Sequence, residues 1–142
     1  MEKKVIITVS GSQSLDQGEQ EDVELMTEGM YEYEGGATRF AYEESEITGM
    51  EGTTTRFLCS PTEVVISRTG AVTSKMVFVE GRQNVFLYET PYGSATLGVD
   101  THKITNKLGE HGGELNIDYT LHVDRMLVSR NRFLVKIKEQ AV

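Results

Sequence analysis

Apolar and polar residues alternate along most of this chain. In the clearest run, residues 114–124, every second side chain is apolar and the intervening ones are polar; the apolar members are Leu115, Ile117, Tyr119, Leu121 and Val123. The same period of two recurs over residues 5–9, 22–34 and 133–137. This period is typical of β-strands that bury one face. No comparable run has the spacing of a helix, so the pattern predicts an all-β protein.

Turn signals separate these runs. They are Gly35-Gly36, Glu51-Gly52, Ser60-Pro61, Gly81, Pro91-Tyr92-Gly93 and Gly112-Gly113. Short strands at such regular spacing indicate a sandwich or a barrel, and the polar stretch 10–22 reads as a connecting loop. Closing the sheet removes its exposed edges. We therefore predict a closed antiparallel up-and-down β-barrel of about eight to ten strands, forming one domain over residues 1–142.

Charge is unevenly distributed in this acidic chain. It has 14 basic and 22 acidic residues, a net charge of −8, which argues against nucleic acid as a partner. Residues 16–51 contain twelve acids and one base, Arg39, whereas residues 125–138 contain five bases and no acid. These stretches are either solvated strand faces or oppositely charged surfaces that meet, within one chain or across a homodimer.

Other features limit the location and the chemistry. No apolar run approaches the roughly 18 residues of a membrane span, and the run 5–9 is too short for a signal peptide. A single cysteine, Cys59, excludes an internal disulfide and favours the cytoplasm. The three histidines are not expected to converge on a metal, and no phosphate loop, dinucleotide fingerprint or nucleophile elbow is present. We therefore expect no metal and no cofactor, and find no catalytic motif.

The middle of the chain carries a more specific pattern. Its elements are Ser67-Arg68-Thr69-Gly70-Ala71-Val72, Met76-x-Phe78, Gly81, Tyr88-x-Thr90-Pro91-Tyr92-Gly93 and Leu97-x-Val99-x-Thr101, with Tyr42-Glu43-Glu44 upstream. Over nearly its full length the chain resembles the YwiB-like family, small bacterial proteins of unknown function with a calycin-type barrel. The resemblance implies a lipocalin-like barrel of cytoplasmic origin and no particular activity. The chain has no tryptophan, so the Gly-x-Trp signature of secreted lipocalins is absent.

Arg68 is the strongest candidate for a functional side chain. It shares strand parity with Val64 and Ile66, which predicts that it points into the barrel, where a buried guanidinium needs a partner. One hypothesis makes Arg68 the anchor of a bound anion, together with Tyr88; the further candidates for this site are Thr90, Thr101 and Tyr42. The other hypothesis makes it structural, either paired with an internal carboxylate (Glu43, Glu44 or Glu89) or extended out of the barrel end.

Two functions therefore remain open, with an enzyme as a third that no motif supports. The first is a binding protein that holds a small, partly apolar molecule, an anion if Arg68 anchors it. The second is a filled barrel whose charged faces contact a protein partner or a second copy. Interior volume separates them: a cavity of roughly 300 Å³ or more favours the first. An interior closed by aromatic side chains favours the second, and the candidates are Phe40, Tyr42, Phe57, Phe78, Phe86 and Tyr119.

Overall fold

The structure is a computed structural model that describes residues 2–15, 20–123 and 126–140. These residues form ten strands and one short 3-10 turn, η1. The strands are β1 (Lys3–Leu15), β2 (Gln20–Glu34), β3 (Ala37–Glu43), β4 (Thr53–Cys59), β5 (Val64–Gly70), β6 (Thr73–Phe78), β7 (Gln83–Thr90), β8 (Gly93–Asn106), β9 (Gly112–Val123) and β10 (Met126–Glu139), with η1 (Glu46–Thr48) between β3 and β4. No helix in this part of the chain is long and apolar enough to cross a bilayer.

Each strand pairs antiparallel with the one before it, and β1 also pairs with β10, which closes the barrel. The predicted closed antiparallel up-and-down β-barrel is confirmed, at the upper end of the predicted strand number. The turn between β2 and β3 shows why glycine occupies the tight turns of this barrel. Gly35 and Gly36 form a two-residue loop with φ of 62° and 81°, a backbone region that L-residues rarely adopt.

The period of two in the sequence becomes the inside and outside of the barrel. On β9, Leu115 and Ile117 are fully buried and Tyr119 nearly so, while Glu114 is exposed. Aromatic side chains fill much of the interior: the Phe40 and Phe57 rings stack with centroids 4.5 Å apart, and Phe78 meets Tyr119 edge-on at 5.0 Å. The core thus lies inside a single closed sheet.

The prediction of a loop over residues 10–22 is wrong for most of that stretch. Strand β1 continues to Leu15, β2 begins at Gln20, and residues 16–19 lie outside the described part. The polar segment of β1 pairs on both sides, for example Ser12 with Arg132 of β10 and with Asp22 of β2. Because both neighbours satisfy its backbone groups, a strand forms despite polar side chains.

Candidate functional site

A cavity of about 240 Å³ lies at one end of the barrel, where β3 and β5 end and β4 begins. Its wall is mainly apolar, and it is partly open to solvent. Two guanidinium groups and one carboxylate are among its lining residues, which are Val9, Gly11, Ser12, Gln13, Val23, Tyr42, Glu44, Thr48, Met50, Arg68, Tyr119, Asn131, Arg132 and Phe133. The barrel thus has open space at this end, next to the packed aromatic rings of the core.

Strand register assembles the polar part of this wall. Tyr42 of β3 pairs with Thr55 of β4, which pairs with Arg68 of β5. All three side chains point inward, as strand parity predicts for Arg68, which is 6% exposed. Glu44 follows β3 directly, and its side chain is only 1% exposed. A cation, a carboxylate, a phenol and a hydroxyl thus meet at one point inside the barrel.

The partner of Arg68 is Glu44, one of the three carboxylates considered from the sequence. Its Oε2 lies 3.7 Å from Arg68 Nε, close enough for an ion pair but too far for a hydrogen bond. The same Oε2 accepts a hydrogen bond of 2.5 Å from Thr55 Oγ1. Glu43, the adjacent residue, instead accepts from Thr54 Oγ1 on the outer face.

Hydrogen-bonding capacity therefore remains on the buried guanidinium. Arg68 Nη1 contacts the Met76 sulfur at 3.9 Å, a weak interaction, and Nε has no hydrogen-bond partner among the described residues. Two other buried hydroxyls, Ser74 Oγ and Thr101 Oγ1, also have no hydrogen-bond partner among the described residues. Buried polar atoms are nearly always hydrogen-bonded to protein or to ordered water, so a water molecule or a ligand oxygen would satisfy these atoms.

Two phenols flank this ion pair. Burial raises the pKa of Tyr42 well above its usual value, the negative charge of Glu44 raises it further, and Arg68 opposes the shift. Burial likewise raises the pKa of Tyr119 to about 12, again with Arg68 opposing. Both phenols are consequently protonated at neutral pH. Tyr42 interacts with the Glu44 carboxylate, whereas the Tyr119 hydroxyl can donate to an acceptor in the cavity.

The residues predicted for the site separate into two groups. Tyr42 and Arg68 lie together on the cavity wall. Tyr88 packs on the core two strands from Arg68, opposite Ser74, but it does not line the cavity, and neither does the buried Thr101 opposite Tyr119. Thr90 belongs to the hairpin between β7 and β8, where its hydroxyl donates to the Gly93 carbonyl at 3.0 Å and accepts from the Tyr92 N–H at 3.1 Å.

Several lining residues did not emerge as site candidates from the sequence. Thr48 belongs to η1, and Met50 lies in the segment after it. The Ser45 side chain caps the start of η1 by accepting a hydrogen bond from the Ile47 N–H. Asn131, Arg132 and Phe133 come from β10, and no local sequence signal marks them as neighbours of Arg68. Only closure of the barrel brings β10 and β1 to this end of the interior.

Gly11 provides part of the empty space. It continues the inward series Val5, Ile7 and Val9, yet it has no side chain. A Cβ built at Gly11 would meet no atom within 4 Å, so the missing side chain leaves room inside the barrel. This interruption of an apolar series was the one sequence signal that could have located the cavity.

The remaining polar clusters do not form a second centre. Within residues 2–15, 20–123 and 126–140, no group of three or more histidine, cysteine, aspartate or glutamate side chains could hold a metal ion. His122 Nδ1 lies 3.2 Å from Asp100 Oδ2, and His102 Nε2 lies 2.5 Å from Thr120 Oγ1, each on the outside of β8 and β9. These are local pairs.

Comparison with known proteins places this barrel among its relatives. The family described as "Domain of unknown function (DUF1934)" matches residues 7–135, a stretch that includes Gly11, Tyr42, Glu44 and Arg68. The chain belongs to the DUF1934 family. A relative in this comparison is the "Uncharacterized beta-barrel protein YwiB" of Bacillus subtilis (strain 168), which is 32% identical over 108 residues, 76% of this chain and 75% of the relative.

A solved structure agrees with the DUF1934 assignment. The crystal structure of the YwiB protein from Bacillus subtilis superimposes with a TM-score of 0.87 at 25% sequence identity, covering 99% of this chain and 94% of that one. The resemblance seen in the sequence is therefore confirmed at the level of family and barrel. The family is described as one of unknown function.

Proposed function

We propose that this DUF1934 barrel binds a small, partly apolar molecule in the cavity at Arg68. The observation that carries the proposal is Arg68 itself: the residue is only 6% exposed, it lines a cavity, and its Nε–H makes no hydrogen bond to a described residue. An up-and-down barrel with a cavity at one end also fits the predicted calycin likeness. Binding pockets are typically apolar with a few polar groups that orient the ligand, and this wall has that composition.

The wall favours a ligand with an oxygen acceptor, and a carboxylate fits best. A guanidinium presents a planar fork of donors that matches the two oxygens of a carboxylate. The phenol of Tyr119 is protonated and can donate beside it. Val9, Met50 and Phe133 supply the apolar part of the wall. The ligand we propose is thus a small organic acid with an apolar body.

The volume limits its size. A cavity of about 240 Å³ falls short of the roughly 300 Å³ that would by itself favour a binding protein, so the proposal rests on the Arg68 site and not on the volume. The cavity equals the volume of about eight water molecules. The filled-barrel alternative describes the remainder of the core, where Phe40, Phe57 and Phe78 pack. A compact metabolite fits this geometry, and a long fatty acid does not.

We also infer a cytoplasmic location. Cys59 is fully buried, and burial raises the pKa of its thiol to about 12, which keeps it protonated and unreactive. A single inert thiol is suited to a reducing compartment, where disulfides do not form. An organic acid of metabolism would be available there.

The experiment is native mass spectrometry of protein purified without denaturation from its own host. We expect a bound mass in the wild type that is absent in Arg68→Met and reduced in Arg68→Lys, because lysine retains the charge but not the fork. Thermal melts with small carboxylates then identify the ligand class. Wild-type protein that carries no mass and is not stabilised by any such acid would contradict the proposal.

A further inference from the structure

The two strands that flank β1 carry opposite charges in separate columns on the outer face of the barrel. The acidic column is the outward row of β2, namely Asp22, Glu24, Glu28 and Glu32. The basic column is the outward row of β10, namely Arg130, Arg132, Lys136 and Lys138. Strand β1 lies between them and pairs with both. The acidic and basic stretches of the sequence thus meet on one face; Asp16, Glu19 and Arg125 lie outside the described residues.

Strand register fixes the distance between these columns. One row across the face reads Lys138, Ile6, Glu28, and another reads Leu134, Ser10, Glu24. Neighbouring strands lie about 4.8 Å apart, so the two columns are about 10 Å apart. At this distance, the opposite charges of one molecule attract each other across the face but do not form ion pairs.

Several of these charges have no ionic partner within the described structure. Lys136 and Lys138 form no ion pair there, Glu24 accepts only a long hydrogen bond from Ser10, and Glu28 accepts one from Gln140. Arg132, in contrast, bonds to Asp118 of β9 at 2.8 Å. The lysines and the two glutamates are therefore available to an incoming surface.

We propose that this face binds the same face of a second copy of the chain, around a two-fold axis that runs parallel to β1. This rotation places the basic column of each copy over the acidic column of the other, whereas a two-fold axis perpendicular to β1 within the interface would place like charges together. A contact that uses one patch on both subunits is the usual form of a homodimer. The same register sets Glu28 of one copy opposite Lys138 of the other.

The centre of the face is suited to this contact. On the axis, β1 presents Ile6, Thr8, Ser10 and Ser12, and its one outward charge, Lys4, stands at the end of the strand. Met26, 68% exposed, interrupts the acidic column beside Thr8 and would lie against the aliphatic stem of Lys136 from the second copy. Large exposed apolar side chains of this kind are enriched at interfaces.

The dimer must depend strongly on salt. Two convex barrels touch over only about three strands, so the interface is small and the exposed ion pairs supply much of the specificity. Such pairs weaken as the Debye length falls from roughly 30 Å at about 0.01 M salt to roughly 3 Å at about 1 M. We expect dimers at low salt and monomers at high salt.

Sedimentation velocity of the full chain tests this, with charge-reversal variants. Lys136→Glu/Lys138→Glu should raise the dimer dissociation constant at low salt by at least about tenfold, and Glu24→Lys/Glu28→Lys should do the same. Combining all four substitutions places positive charges on β2 opposite negative charges on β10 and keeps the wild-type net charge. The fourfold variant should therefore dimerise again. Lys103→Glu/Lys107→Glu, a matched charge change at exposed residues of β8 and the segment after it, should leave the dissociation constant within about twofold.

Circular dichroism confirms the fold of each variant before it is compared. A wild type that is monomeric at low salt and high concentration would overturn the proposal. So would a dimer that survives either reversal, or a fourfold variant that remains monomeric, because each shows that these columns do not face one another. A dimer that persists unchanged at about 1 M salt would likewise place the interface on another surface.

Discussion

The guanidinium of Arg68 and the carboxylate of Glu44 face each other inside the barrel, with Nε and Oε2 3.7 Å apart and both side chains almost completely buried. Burying two charges costs more than a loose contact returns unless further hydrogen bonds complete the pair. Thr55 donates a hydrogen bond to the Glu44 carboxylate, whereas Arg68 Nε makes no hydrogen bond to any residue that the structure describes. Because of this asymmetry, we interpret Glu44 as a structural partner and Arg68 as the residue that can also bind a ligand.

Breaking the pair should cost more than removing it. Glu44→Gln and Arg68→Met each leave one buried charge without its partner, and each should lower the free energy of unfolding by about 3 kcal/mol. The double variant removes both charges and should lose less than the sum of the two single changes. Urea unfolding of the four proteins measures this coupling.

The exposed pair Arg39–Glu32 is the control, because its charged atoms are 3.9 Å apart and Arg39 is mostly exposed. Arg39→Met should change the free energy of unfolding by no more than about 0.5 kcal/mol. Equal losses at Arg39 and Arg68 would show that Arg68 is not held in a buried ionic contact.

Alkaline titration should reveal the buried phenols. The pKa of Tyr119 is about 12 in the folded protein against about 10 for an ordinary tyrosine, so the unfolded chain binds fewer protons than the native one between these values. Stability should therefore be unaffected by Tyr119 below about pH 10 and fall as the pH rises from about 10 to about 12. Phenolate absorbance in Tyr119→Phe should lack one late-titrating group; an unchanged curve would contradict this assignment.

The clearest strand provides a test of the register. Ile117 is fully buried inside β9, and Ile117→Ala should cost about 2–5 kcal/mol in thermal or urea unfolding. Val85, on the outward face of β7 and 70% exposed, is the control, and Val85→Ala should stay within about 0.5 kcal/mol. Greater sensitivity at Val85 than at Ile117 would mean that the inward and outward faces are reversed.

Alternation was sufficient to predict the barrel but not every burial. Thr120 occupies the polar face of β9, yet it is 5% exposed, because a bulge between Thr101 and Lys103 on β8 lets the His102 ring bond to its hydroxyl. A bulge inserts a residue that strict alternation does not anticipate. Composition alone also predicts a loop for the polar segment of β1. The segment is a strand because it pairs with both β2 and β10.

The candidate site was predictable only in part. Strand parity placed Arg68 inside, and proximity in the chain kept Tyr42 beside Glu44. The choice of Glu44 over Glu43 and Glu89 depends on where β3 ends, which alternation does not fix. The walls from β1 and β10 depend on closure between the two ends of the chain, a contact of high sequence separation. The absent side chain at Gly11 provides part of the cavity, and the rest of its lining comes from five other parts of the sequence.

The most direct test of the binding proposal is Gly11→Val, examined by native mass spectrometry beside the wild type. The new side chain enters open space, the backbone there is ordinary strand, and valine favours strands, so the melting temperature should stay the same or rise. If the cavity is the binding site, the bound mass seen in the wild type disappears from this equally stable variant. A Gly11→Val protein that keeps the bound mass would contradict the assignment of the cavity as the binding site.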